Sequence, residues 1–239
     1  MKCVGIIGGI GPESTVDYYR QIVARHRELA GGAYPSIVIN SVDLIKMTGF
    51  VAGRQLDALI AYLHAEVSKL ARAGVDFGLL ASNTPHVVFD DLQRISPIPM
   101  ISIVEVASAA AARRHFRRVG LLATRFTMRG GFYTDVFARS GITVVLPDEK
   151  EQEYVHAKYL GDLVNGRYTG ELVNGVFLPE TRKELTKIIQ RMVARDGIDA
   201  LVLGGTELPL LLRDDGEAGI PLLDTATIHV ESIVEELLR

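Results

Sequence analysis

Two short stretches far apart in the chain share one design. GVDFGLLASNTPH begins at Gly74 and GIDALVLGGTELP at Gly197. Each opens Gly-x-Asp, continues as an apolar run and ends in a small-residue loop containing Thr. The same offset sets Ser82 opposite Gly205 and Asn83 opposite Thr206. Upstream, KCVGIIGGIGPEST from Lys2 matches RVGLLATRFTMRGG from Arg118, and downstream IPMIS from Ile98 matches IPLLD from Ile220. A chain that repeats its strand, loop and helix signals in one order is constrained to two like halves.

The halves are of the α/β class. Short Val-, Ile- and Leu-rich runs fall at 3–7, 36–40, 77–81, 100–103, 119–122, 142–146, 200–203 and 222–223. Most are apolar on both faces, as parallel strands covered by helices on each side must be. Between them lie helical patterns at 15–29, 54–73, 104–114, 131–139, 150–165, 179–196 and 227–238. Such alternation predicts βαβ units and parallel sheets. We expect two similar parallel-sheet α/β domains related by a pseudo-twofold axis. The first comprises 1–107 plus 227–239 and the second 108–226. Ligands of such sheets bind at strand carboxyl ends, which predicts an active site in the cleft between the domains, lined by 8–12, 82–86, 124–127 and 205–207.

Charge and cysteine content narrow the function. A formal charge of −3 argues against nucleic-acid or phospholipid surfaces, which need a positive field. The basic cluster ARRHFRR is read as a solvated helix face before a strand. The single cysteine, Cys3, excludes an intramolecular disulfide framework and a cysteine-rich zinc site. The first apolar run stops at glycines too early for a signal peptide or membrane span. We expect a cytoplasmic protein with no membrane or nucleic-acid partner.

GIIGGIGPEST follows a strand but lacks both GxGxxG spacing and the Gly-Lys-Ser/Thr ending of a P-loop. It reads as a tight strand-to-helix turn with Pro12 near the helix start. Its backbone at Gly9 and Ile10 can approach a small ligand, and a helix N-terminus favours a carboxylate.

Taken with ASNTPHVVFDD, LGGTELPLLL, ATRFTMRGGFY and PLLDTATIH, this loop resembles the aspartate/glutamate racemase superfamily, in its cofactor-independent aspartate racemase branch. The similarity is collinear over nearly the whole chain. It implies two like α/β domains, often in a homodimer, with proton transfer next to a substrate carboxylate and no pyridoxal phosphate, flavin or metal. Racemisation removes an α-proton from one face and returns one to the other, so a base on each side at matched repeat positions suits the reaction. In the family these bases are cysteines, one before Asn-Thr and one before Thr-Glu.

Here those positions are Ser82 and Gly205, the pair already matched by the repeat. A serine hydroxyl needs an adjacent base to act, and glycine offers neither acid nor base. Racemisation by the usual thiol pair is therefore ruled out. Glu207 is the candidate base of the second half, against a reading as a helix cap. Asn83, Thr84, Thr124, Thr127 and Thr206 are candidate substrate contacts, against turn and cap roles. The resemblance places Lys158 where a cation meets the substrate's distal carboxylate, and Lys46, near Asp43, is a second cation. His86 is an acid/base or a packing residue, and His229 is structural.

Four functions follow. The first is a racemase-family isomerase acting on an aspartate- or glutamate-like amino acid. The second is a lyase, isomerase or decarboxylase of a small carboxylic acid, needing proton transfer on one face. The others are a non-catalytic binding protein and a cysteine-substituted variant of an ordinary racemase.

Overall fold

The computed structural model describes residues 2–164, 167–212 and 219–239. The chain divides into two compact units, one of Met1–Val106 with Ala226–Arg239 and the other of Ala107–Thr225.

Unit 1 contains strands β1 (Cys3–Gly8), β2 (Ser36–Ser41), β3 (Phe77–Leu80) and β4 (Met100–Ile101). They form one parallel sheet in the order β2-β1-β3-β4. Helix α1 (Pro12–Leu29) follows β1, and α2 (Leu44–Ala52) with α3 (Leu56–Arg72) follows β2. A 3-10 turn (Thr84–Val88) and α4 (Phe89–Ile95) follow β3. Alternation along the strands sorts the core into two layers. Ile7 and Leu80 pack with Met47, Leu59, Leu63, Val67 and Leu70 from α2 and α3. Val4, Ile6, Phe77 and Leu79 pack on the other face with Tyr18 and Ile22 of α1 and with Val230, Ile233 and Val234 near the C-terminus. All but Phe77 and Val230 of this second group are fully buried, and those two nearly so. At roughly 1.5–3 kcal/mol for each buried aliphatic or aromatic side chain, these two layers dominate the unit's stability.

Unit 2 repeats the plan. After α5 (Ile103–Arg113) come β5 (Arg118–Leu122), α6 (Arg125–Arg129), α7 (Phe132–Arg139), β6 (Thr143–Val145) and α8 (Glu149–Tyr159). A short antiparallel pair, β7 (Leu163–Val164) and β8 (Arg167–Tyr168), precedes α9 (Pro179–Asp196) and β9 (Ala200–Leu203). Then follow α10 (Leu208–Leu211), β10 (Leu222–Asp224) and α11 (Thr225–Leu237), which returns the chain to unit 1. The sheet order is β10-β9-β5-β6, again all parallel.

The registers of the two sheets coincide. Val4 is opposite Phe77 in one and Val119 opposite Ala200 in the other. Gly78 is opposite Met100 and Leu201 opposite Leu222. The repeated Gly-x-Asp explains part of this match. Gly74 and Gly197 end their helices at φ +82° and +63°, which glycine adopts without steric cost. Two residues on, the Asp76 carboxylate accepts from Cys3 N–H at 2.6 Å, and Asp199 accepts from Arg117 N–H at 2.8 Å. Each aspartate thus pins the start of the neighbouring strand.

All eight expected strands of the two sheets are present, and the pair β7/β8 is additional. Helix α1 begins at Pro12, earlier than the apolar periodicity at 15–29 indicates, because proline suits the first helical turn. The helix expected at 150–165 ends at Tyr159. Gly161 stands at φ +64° and donates to the His156 carbonyl, closing the helix. Asn165 lies outside the described residues.

Candidate functional site

In unit 1 the candidate residues follow adjacent strands. Ala81 N–H donates to the Ile7 carbonyl at 2.9 Å, so the loops after β1 and β3 start side by side. Gly9 stands at φ +88°, and a Cβ there would lie 2.5 Å from the Val42 carbonyl oxygen. Its N–H donates to Thr15 Oγ1 at 2.8 Å, so the turn is held by the first turn of α1. The Ile10 side chain belongs to the apolar core. Ser82, Asn83 and Thr84 are all buried.

His86 underpins this loop. Its Nδ1–H donates to the Ser82 carbonyl at 2.9 Å, and its Nε2 accepts from Ile103 N–H at 3.3 Å. The ring stacks on Phe89 with centroids 4.8 Å apart. Protonation would turn Nε2 into a donor facing another donor. Burial, with the nearby His229, pushes the imidazole down to about 3. His229 has the opposite tautomer, its Nε2–H donating to the Ile101 carbonyl while Nδ1 accepts from Tyr18. Burial lowers it to about 4. Both rings are neutral and satisfied, which fits them for support.

In unit 2, Gly204 N–H donates to the Leu122 carbonyl at 2.8 Å, the counterpart of the Ala81 contact. Thr124 caps α6, its Oγ1 accepting from Thr127 N–H at 3.3 Å and lying 3.2 Å from Thr127 Oγ1. Next to this turn, His156 Nδ1 accepts from Arg125 N–H at 3.3 Å. Burial and the Arg125 charge lower its pKa to about 4.

The strongest polar arrangement lies after β9. Glu207 is 2% exposed and makes no side-chain cap bond to α10. Its Oε2 accepts instead from the Tyr159 hydroxyl and, at 3.0 Å, from Thr206 Oγ1. Its own N–H donates back to Tyr159 Oη at 3.3 Å. Burial first, and then the carboxylate, raise the phenol well above its ordinary value, so Tyr159 is a protonated donor at rest. The ring also covers Gly205, where a Cβ would meet Tyr159 Cε2 at 2.5 Å and Oη at 2.8 Å.

The structure therefore gathers Gly205, Thr206 and Glu207 around Tyr159, a residue that sequence reasoning missed. Its neighbour Lys158 turns elsewhere. The ammonium is held by Glu171, whose other oxygen accepts from Thr181. Lys46 lies over the Tyr62 ring, 4.6 Å from its centroid. Among the described residues no group of three or more His, Cys, Asp or Glu side chains is placed to hold a metal. No described helix is long and apolar enough to cross a membrane.

Comparison with known proteins places the chain as a whole. Residues 7–233 match the family model for Asp/Glu/hydantoin racemases. The broad specificity amino-acid racemase RacX of Bacillus subtilis is 29% identical over 161 residues, covering 62% of this chain and 66% of that protein, just under two thirds. An aspartate racemase homologue from Pyrococcus horikoshii superposes with a TM-score of 0.82 at 31% identity, over the whole of both chains. The Picrophilus torridus aspartate racemase shares the fold, with a TM-score of 0.73 at 20% identity over 99% of this chain and 94% of that one. With its two registered parallel sheets and a family match spanning almost the entire sequence, the chain belongs to the Asp/Glu/hydantoin racemase family.

Proposed function

We propose that this protein moves the α-proton of a small acidic amino acid, aspartate- or glutamate-like, without an organic cofactor or metal. The carrying observation is the buried Glu207 carboxylate, which is held by two hydroxyls and does not cap its helix. A carboxylate kept out of water and oriented by donors is suited to accept a proton. The family match supports the reaction type, and similarity to the Bacillus broad specificity amino-acid racemase supports an amino-acid substrate.

In this reading Ser82 and Gly205 stand where the family's thiols are expected, and Glu207 takes up the proton. Asn83, Thr84, Thr124, Thr127 and Thr206 are assigned to substrate carboxylate and amino groups, as is the backbone at Gly9 and Ile10. Lys158 serves a distal carboxylate by exchanging Glu171 for it. A cytoplasmic homodimer is proposed on the family resemblance alone.

A second reading, proton transfer on one face in a lyase, isomerase or decarboxylase, is favoured by Gly205, which has no side chain and no room for one. Incubation with single enantiomers of aspartate, glutamate and other amino acids, followed by chiral chromatography, tests both. The opposite enantiomer supports a racemase. Released ammonia or carbon dioxide supports the second reading. Unchanged substrates throughout the panel, with no α-hydrogen exchange in deuterium oxide either, would remove both.

A further inference from the structure

We propose that the Tyr159 hydroxyl is the group that meets the substrate's α-proton in unit 2, relaying its own proton to Glu207 in place of a side chain at position 205. The inference deepens the proton-transfer reading above and rests on it.

Three observations carry it. The phenol oxygen lies 2.8 Å from the point where a Cβ on Gly205 would sit, so the hydroxyl borders the space that a residue-205 side chain would enter. That oxygen is oriented from both sides, donating to Glu207 Oε2 and accepting from Glu207 N–H at 3.3 Å. The receiving carboxylate oxygen is further fixed by Thr206 Oγ1 at 3.0 Å. Space filling over a glycine would need only the ring. An oriented hydroxyl joined to a buried carboxylate is a proton path.

Burial and the adjacent negative charge keep the phenol protonated, so free tyrosinate is not the base. The two transfers are therefore coupled. The substrate Cα–H bond breaks and its proton bonds to Tyr159 Oη, while the Oη–H bond breaks and that proton bonds to Glu207. The C–H electron pair stays on the substrate as the enediolate. Reversal takes the proton from Glu207 to Oη and from Oη to Cα, on the same face. Nothing is oxidised or reduced. The path exchanges the α-hydrogen with retention, and inversion needs a second donor on the opposite face. Tyr159 is thus the catalytic residue, and Glu207 is a positioning residue that acts through it.

The test is α-proton exchange in deuterium oxide by the full chain, followed by proton NMR on separate L- and D-amino acids. The variants are Tyr159→Phe, Glu207→Gln and, as a control on the same helix, Tyr154→Phe. We expect the wild type to exchange one enantiomer faster than it inverts it. Tyr159→Phe and Glu207→Gln should each lower the exchange rate by about 10²–10⁴, with KM within about threefold, and Tyr154→Phe should match the wild type. A wild type that exchanges while Tyr159→Phe exchanges equally well overturns the relay but leaves the proposed function standing. Should Tyr159→Phe fold poorly by thermal melting, Glu207→Gln decides, and wild-type exchange by that variant overturns the relay. A wild type silent on every amino acid overturns the function, and the relay falls with it.

Discussion

Tyr159 and Gly205 are complementary: the ring of the first fills the space that a side chain on the second would require, with Cε2 only 2.5 Å from the Cβ position. A cysteine placed at 205 therefore enters occupied space. The obstacle is a buried aromatic ring rather than a mobile side-chain end. Overpacking of this kind costs about 1–3 kcal/mol. Gly205→Cys should lower the urea midpoint accordingly, and combination with Tyr159→Ala should be less destabilising than the two changes added together. A double-mutant cycle by urea unfolding measures this, with strict additivity as the contrary result.

The neutral histidines give stability a pH dependence. His86, His156 and His229 have folded values of about 3, 4 and 4, below the ordinary value of 6.5. Between these limits the unfolded chain binds more protons. Their contribution is therefore complete above about pH 7 and is lost as the pH falls through 6.5 toward 4 and below. The deeply buried His86 and His229 should each remove about 1–2 kcal/mol between pH 7 and 5, and the less deeply buried His156 should remove less. Urea titrations at the two pH values check this. Equal stability at both would contradict it.

The paired aspartates make a symmetrical prediction. Asp76 accepts the Cys3 N–H at 2.6 Å, and its counterpart Asp199 accepts the N–H groups of Arg117 at 2.8 Å and Arg118 at 3.3 Å. Asp76→Ala and Asp199→Ala should each cost about 1 kcal/mol. Thermal melts of the two variants should shift alike, and a shift confined to one would deny their equivalence.

Gly9 and Gly32 separate backbone strain from crowding. Both have strongly positive φ, +88° and +96°, but a Cβ at Gly9 meets the Val42 carbonyl at 2.5 Å while one at Gly32 meets nothing within 4 Å. Gly32→Ala should cost about 1–2 kcal/mol for the left-handed backbone alone. Gly9→Ala should exceed it by at least about 1 kcal/mol. Urea denaturation of both variants provides the comparison.

Much of the fold was legible because the repeat is written in strands. The match of Gly74 to Gly197 in sequence reappears as the match of Phe77 to Ala200 against their β1 and β5 neighbours. Apolar runs such as 77–81 admit few conformations, and the Gly-x-Asp before them supplies both helix end and strand anchor. Helix α2 was missed because its nine residues are short and mostly apolar, with no clear periodicity. In the site, Thr206 and Glu207 stood out as polar residues after a strand. Tyr159 did not, because its role depends on a tertiary contact between the end of α8 and a glycine after β9. Lys158, its neighbour in sequence, drew attention as a charge, yet its ammonium is engaged by Glu171.

The most direct measurement is proton NMR of the purified protein with L- and D-aspartate and glutamate in deuterium oxide, with no cofactor added. Loss of the α-proton signal from at least one of these substrates, without loss of the carbon skeleton, is the predicted result. α-Proton signals that persist undiminished in all four would contradict the claim that this chain moves an α-proton of an acidic amino acid.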